Sequence, residues 1–307
     1  MLDRRAMPAT LVCVTGMHRS GTSVVASLLE LLGVDFGPGE GMLEPADENP
    51  HGFWEQRAVS DLNDDLLAVL GGSWYEPPIL ADGWASSPTL DGICGRIDET
   101  AAGLFSAGAT AGLKDPRMSL LLPLWKTRCT PMASVLVVRD PREVAQSLAR
   151  RNGIHRERGA YLWLRYVAAA WRNDPERLLV HAHQLFDDLD STLDRICSFL
   201  ALDPPSRDVQ RAVADVVDPT AWRSTAVGVT GPMMRRAIAL HEQIRAGAAV
   251  DAEIERLHRN WLRRGEVERF LARPRRKLAA AVPRQIRAKL AVRDRIRYPV
   301  GGTMTRP

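Results

Sequence analysis

Apolar positions along the 307-residue chain fall into two kinds of run that take turns. Leu11–Val14, Ala111–Lys114, Val135–Val138 and Leu178–His181 are short and largely continuous, as strands buried on both faces of a sheet are. Between them, apolar residues recur at helical spacing. Thr22–Leu32 carries Val24, Val25, Leu28, Leu29 and Leu32 and ends at Gly33; Ala58–Leu70 carries Val59, Leu62, Leu66, Leu67 and Val69 and ends at Gly71-Gly72. Ile93–Phe105, Met118–Lys126, a helix starting at Pro141 and running to about Arg151, Tyr161–Arg172 and Leu189–Leu200 repeat the pattern, with an interruption expected near Pro123. Strands alternating with helices predict an α/β protein with a parallel sheet flanked by helices, and a ligand site outside the carboxyl ends of the strands.

Beyond Asp203-Pro204-Pro205 the alternation stops. Arg207–Val217 and Met233–Leu271 read as helices without strand partners, which predicts a core over 1–205, a helical extension packed on it over 206–271 and a basic tail over 272–307. Between Arg273 and Arg297 ten Lys and Arg stand against one acid, so the net charge of +4 belongs to the tail and the remainder is acidic. Leu278, Val282, Ile286 and Leu290 recur among these arginines, a pattern suited to a membrane surface or an acidic partner; nucleic acid is a poorer match to the acidic body. Cys13, Cys94, Cys129 and Cys197 are far apart and without C-x-x-C spacing, which predicts reduced thiols and no metal site. With no stretch of about 20 apolar residues and no secretory leader, the expected location is cytoplasmic, with the tail able to meet the inner membrane surface.

The chemistry concentrates at the predicted strand ends. Gly16-Met17-His18-Arg19-Ser20-Gly21-Thr22-Ser23 follows the first strand and opens the first helix, the context of a phosphate loop. Its glycine spacing is that of a Walker A loop, but Thr22 stands where that loop has lysine, and its fixed cation is Arg19. A phosphoanhydride other than ATP suits it better. The third strand delivers Arg139-Asp140-Pro141-Arg142-Glu143-Val144, and Ser147 lies eight residues after Arg139. Taken together, the loop and this second motif resemble the donor site of sulfotransferases that use 3′-phosphoadenosine 5′-phosphosulfate (PAPS). The resemblance covers roughly Thr10 to Leu202 and is closest to the bacterial and carbohydrate-type branch. The chain lacks the late Arg-Lys-Gly segment of the cytosolic small-molecule branch, which leaves one wall of the donor site unassigned.

The resemblance implies a P-loop-type fold and a role for each matching residue. Gly16, His18, Arg19, Ser20, Gly21, Thr22 and Ser23 would hold the 5′-phosphosulfate, Arg139 and Ser147 the 3′-phosphate, with PAPS as co-substrate and no metal. Lys114, in Gly112-Leu113-Lys114-Asp115-Pro116-Arg117, is similar to a lysine placed near the transferring group; a structural pair with Asp115 is the competing role. Arg139 pairing with Asp140 or Glu143 is the competing role there, and Arg142 reads as a solvated helix residue. A general base is expected in Glu48-Asn49-Pro50-His51-Gly52-Phe53-Trp54-Glu55, with Glu55 first and His51 and Glu48 behind it. Phe53, Trp54, Trp74 and Tyr75 could stack against a sugar or an apolar acceptor, with core filling as the competing role and the favoured one for Trp74 and Trp84; the acceptor implied is a hydroxyl-bearing glycan, glycolipid or glycosylated small molecule. His181-Ala182-His183 has no third ligand in view and reads as structural, and Trp222-Arg223-Ser224 is a weak candidate for the far wall. A P-loop kinase or NTPase, and a catalytically silent scaffold, remain the alternative readings.

Overall fold

The computed structural model describes residues 10–44, 52–105, 109–216, 228 and 231–280, with 214–216 and 266–280 described as helix alone. His51, Glu48, Trp222-Arg223-Ser224 and the tail beyond 280 lie outside the described residues. The elements run β1 (Thr10–Gly16), α1 (Thr22–Leu31), α2 (Arg57–Val69), α3 (Asp91–Leu104), β2 (Thr110–Lys114), α4 (Met118–Arg128), β3 (Met132–Val138), α5 (Pro141–Asn152), α6 (Arg156–Asn173), β4 (Leu178–His181), α7 (Gln184–Asp187), α8 (Leu189–Leu200), α9 (Arg207–Val216), α10 (Pro232–Arg245) and α11 (Asp251–Ala280). Three further single turns of 3-10 helix lie in the connections after α1 and α2.

The four described strands form one parallel sheet in the order β2-β1-β3-β4, so β1 and β3 are central. Successive side chains of a strand point to opposite faces. Val12 and Val14 of β1 and Val135 and Val137 of β3 join Val25, Leu28 and Leu29 of α1, Leu193 and Ile196 of α8 and Val213 of α9 on one side. Leu11, Cys13, Leu136 and Val138 point the other way and are equally buried, on the side where α4 and α6 contact the central strands. The continuous apolar runs of the sequence are therefore strands covered twice, and the P-loop-type α/β expectation holds.

Helix ends follow local chemistry. Gly33 adopts φ of 90° and its N–H bonds the Glu30 carbonyl while Val34 N–H reaches back to Leu29, closing α1. Gly247, at φ of 68°, does the same after α10 and divides the predicted 233–271 helical stretch into α10 and α11. Contrary to the expected interruption, α4 runs through Pro123 without a break. A proline at that position leaves the carbonyl four residues earlier without its helical donor. Here the Asn173 side-chain amide donates to the Ser119 carbonyl at 2.9 Å, and Leu120–Leu122, Leu124 and Trp125 hold the helix by burial.

The chain divides into two compact units, 1–258 and 259–307. In the first, α9 packs on α1, and α10 on α5 and α6. Glu157 fixes the start of α10 by accepting from the N–H groups of Met233 and Met234 at 3.0 and 3.1 Å. No described helix is long and apolar enough to cross a membrane.

Beyond β2 the sheet continues as one bridging residue, Asp35, paired with Ala111. Phe36 then folds its ring over Gly112, where an added Cβ would sit 2.6–2.7 Å from three ring atoms. Gly112→Ala is expected to destabilise the protein by about 1–3 kcal/mol, read from a denaturation midpoint. Adding Phe36→Leu should recover part of the loss, since contacting sites are not additive.

Candidate active site

The loop between β1 and α1 is curled by residues that cannot easily be exchanged. Gly16 has φ of 139°, and a Cβ there would lie 2.5 Å from the Val137 carbonyl oxygen of the neighbouring strand. Ser119 of α4 locks the same residue from below, its Oγ accepting from Gly16 N–H at 2.9 Å and donating to Gly16 carbonyl at 3.1 Å. Arg19 is left-handed at φ of 69° and Gly21 at 90°, so the chain turns twice before α1 begins. Gly21 caps α1 without any side-chain bond, and the first turn of that helix holds no acid. An oxyanion is the natural complement of such an end. Two polar atoms are enclosed in this loop with no partner, Ser20 Oγ and His18 Nε2.

A second cluster meets the loop from β2 and α2. Lys114, the last residue of β2, donates to Glu55 Oε1 at 2.5 Å, and both side chains are almost wholly buried. The competing Lys114–Asp115 pair is not formed. Asp115 instead accepts from Asn63 at 2.9 Å and from Arg117 at 2.8–3.1 Å, because the chain turns at Pro116 and carries its carboxylate toward α2. Arg117 also donates to Asp64 at 2.6 Å and to Ser60 at 3.1 Å, and lies 3.9 Å from Glu55 Oε2. Burial disfavours the charge on Arg117, but Asp115, Asp64 and Glu55 outweigh it and push its pKa up. Burial pushes the Glu55 carboxyl above its ordinary range, against the pull of Lys114.

The third cluster joins the two sequence motifs directly. Arg19 Nε donates to Ser147 Oγ at 2.9 Å, and Arg139 Nη1 donates to the Arg19 carbonyl at 3.2 Å. Arg139 also pairs with Glu143 at 2.7 Å, so the competing role considered for it is realised alongside its contact with the loop. Asp140 is not its partner; it caps α5 by accepting from Arg142 N–H at 2.8 Å and holds the Arg142 guanidinium. Arg142 is thus an ion-paired residue at the helix start, and only half-buried.

His18 sits between the clusters, its ring 4.9 Å from that of Trp74 and 5.8 Å from that of Tyr166. Burial, followed by the charges of Arg117, Lys114, Arg151 and Arg19, holds its pKa well below the ordinary histidine value, so the ring is neutral at pH 7. The segment carrying Trp74 and Tyr75 is tied to α6 through main-chain carbonyls. Tyr166 donates to Trp74 at 2.7 Å, Arg165 to Pro78 at 2.7 Å, and Arg158 to Tyr75. Phe53 lies beside the loop, its carbonyl 3.4 Å from Ser23 Oγ and its ring under Arg151. Trp54 donates to Glu30 at 2.8 Å and packs against the apolar cluster that includes Val25, Leu28 and Leu29 of α1. The rings of His181 and His183 lie tilted at 5.5 Å, and among the described residues no group of three ligating side chains could hold a metal ion.

The sequence singles out Gly16–Ser23, Glu55, Lys114, Arg139 and Ser147 as candidates, and the fold gathers them on one edge of the sheet. The sequence does not single out Ser119, Asn63, Ser60 and Asp64. Their partners are 52 to 103 residues away in the chain, and no local pattern announces them.

No family model and no curated protein matches the chain. Among solved structures it is similar to the sulfotransferase domain of the Synechococcus PCC 7002 olefin synthase, at 18% identity and a TM-score of 0.41, over 78% of this chain and 95% of that one. It is also similar to sulfotransferase STF9 from Mycobacterium avium, at 12% identity and 0.44 over 76% of each chain. Sulfotransferase STF1 from Mycobacterium tuberculosis H37Rv gives 16% and 0.45, over 76% of this chain and 77% of that one.

Lys114→Met leaves a desolvated carboxylate with its nearest cation gone, which costs about 3–5 kcal/mol near pH 7. Because the Glu55 pKa is already raised and Lys114 holds it down, the variant should shift it higher still. A carboxyl whose folded pKa is raised loses stability as pH rises toward that pKa. The gap between variant and wild type should therefore be smallest at about pH 5 and widest at about pH 8, measured by urea denaturation.

Proposed function

We propose that this protein transfers a sulfuryl group from PAPS to a hydroxyl of a glycan, glycolipid or glycosylated small molecule. The observation that carries the reading is the junction of the two motifs. Arg19 of the loop and Arg139 of the third strand end meet through one carbonyl, and Ser147 takes the Arg19 side chain, so both phosphate-binding motifs serve a single ligand. The enclosed, partnerless Ser20 Oγ and His18 Nε2, and the uncapped start of α1, suit the oxygens of a phosphosulfate. The departure from Walker A supports the same choice, since Arg19 and Lys114 supply cations without a lysine in the loop.

In this reading Arg19, the loop amides and Ser20, Thr22 and Ser23 hold the 5′-phosphosulfate, and Arg139 with Ser147 the 3′-phosphate. The acceptor oxygen forms a bond to sulfur while the sulfur–oxygen bond to the phosphate breaks. The electron pair leaves on the phosphate oxygen, where Arg19 and Lys114 stabilise the growing charge. The acceptor proton passes to Glu55. Lys114 and Glu55 form a pair in the free protein, and a donor that draws the ammonium toward its bridging oxygen leaves the carboxylate desolvated and more basic. Phe53, Trp74 and Tyr75 form the aromatic wall against which a sugar face packs.

The reading is tested by ligand-induced thermal stabilisation. 3′,5′-Bisphosphoadenosine should raise the melting temperature more than ATP with magnesium, and the reverse order would overturn the donor assignment. In a transfer assay read by the mass gain of one SO3, Glu55→Gln should lower kcat by about 10²–10⁴-fold while bisphosphate binding persists. The raised Glu55 pKa should place the acid limb of the wild-type kcat/KM profile above the usual carboxylate range.

A further inference from the structure

Two acceptors stand one helical turn apart on α5, Glu143 and Ser147, and each holds an arginine of the site. Ser147 takes Arg19. Glu143 takes Arg139, and it does so through a single oxygen, Oε2, which receives Nε and Nη2 at 2.7 Å each. The Arg139 side chain is about one-tenth exposed and that of Glu143 about one-fifth, so this is an enclosed contact. The backbone of Arg139 is fixed as well, because Trp163 Nε1 donates to its carbonyl at 2.9 Å.

Another contact of the guanidinium reaches the loop itself. Nη1 donates to the carbonyl of Arg19, a residue whose backbone is left-handed, a conformation unfavourable for a side chain of this kind. The chain of contacts runs from Glu143 to Arg139, to the Arg19 carbonyl, and from the Arg19 side chain back to Ser147 on the same helix. Removing the carboxylate takes away the contact that Arg139 makes through both Nε and Nη2 on one side of its guanidinium. We propose that Glu143 is a positioning residue: by gripping one side of Arg139 it aims that guanidinium at the donor's 3′-phosphate and braces the phosphate loop at Arg19. The first half of this rests on the donor reading given above.

Reach and charge are separated by two conservative variants. Glu143→Gln keeps one oxygen at the same distance and removes the charge; Glu143→Asp keeps the charge and withdraws it by one methylene. Calorimetric affinities of the full chain for 3′,5′-bisphosphoadenosine and for 5′-AMP give, as their ratio, the selectivity for the 3′-phosphate. Glu143→Asp is expected to lower that ratio tenfold or more, and Glu143→Gln to keep it within about threefold of wild type. The opposite ranking, with the aspartate variant like wild type and the glutamine variant altered, would make Glu143 a counter-ion and overturn the proposal. Hydrogen exchange of the peptide covering Gly16–Ser23, in the protein without ligand, reads the brace independently of any donor. It should quicken at least fivefold in Glu143→Asp and stay near wild type in Glu143→Gln; unchanged exchange in both overturns the brace. A wild type that binds bisphosphate and AMP equally would instead overturn the donor reading, leaving the exchange result to judge Glu143.

Discussion

Parallel register is the constraint on which the site depends. When strands run the same way their carboxyl ends share one edge, so residues that end different strands become neighbours. Val14 pairs with Lys114 and Gly16 with Val137, which sets the ammonium of β2 and the guanidinium of Arg139 on either side of the loop that leaves β1. The pairing of Gly16 with Val137 is also why that position is glycine, since the approach of the neighbouring carbonyl leaves no room for a side chain. Sheet geometry and anion chemistry thus act on the same residue.

The free protein balances the charge it gathers there. Lys114 has Glu55, Arg139 has Glu143, and Arg117 has Asp64 and Asp115. Uncompensated cations this close would repel one another and lower stability, while buried pairs with good hydrogen bonds are tolerated. Under the proposed function the donor would draw Lys114 away from Glu55 while Glu143 keeps its hold on Arg139. Glu55, already pushed up by burial, would then lose its nearest cation and become more basic.

The order of strands and helices was legible because burial on both faces writes continuous apolar runs and burial on one face writes helical spacing. Gly33 announced the end of α1 through the conformation that helix ends require. Long-range compensation was not legible. Pro123 carries the local signal of a broken helix, and the Asn173 amide that rescues the Ser119 carbonyl comes from a different helix. Lys114-Asp115 likewise suggests an ion pair between neighbours, yet the turn at Pro116 sends the carboxylate to Asn63 and Arg117 and leaves the lysine to Glu55. Residues of opposite charge adjacent in sequence are poor guides to partnership wherever the chain turns between strand and helix. Glu143 was readable as a partner of Arg139 from its spacing, but that the same guanidinium also holds the loop required the fold.

The Trp74–Pro78 segment is held differently from the loop. At the loop Arg139 and Ser119 also grip main-chain groups, of Arg19 and Gly16, but Arg19, Lys114 and Arg117 are held through their own side chains, so a change of residue type there removes the contact. Along the Trp74–Pro78 segment the anchors on α6 are Tyr166, Arg165 and Arg158, but what they hold are carbonyl oxygens, which every residue type provides. Burial keeps the Tyr166 phenol protonated and hence a donor to that carbonyl. The segment's course is therefore set by α6 and its side chains are set by other needs. Under the proposed function, such an arrangement would let the surface offered to the acceptor change in sequence while its anchorage to α6 stays the same, separating selectivity for the acceptor from the chemistry assigned to Glu55 and Lys114.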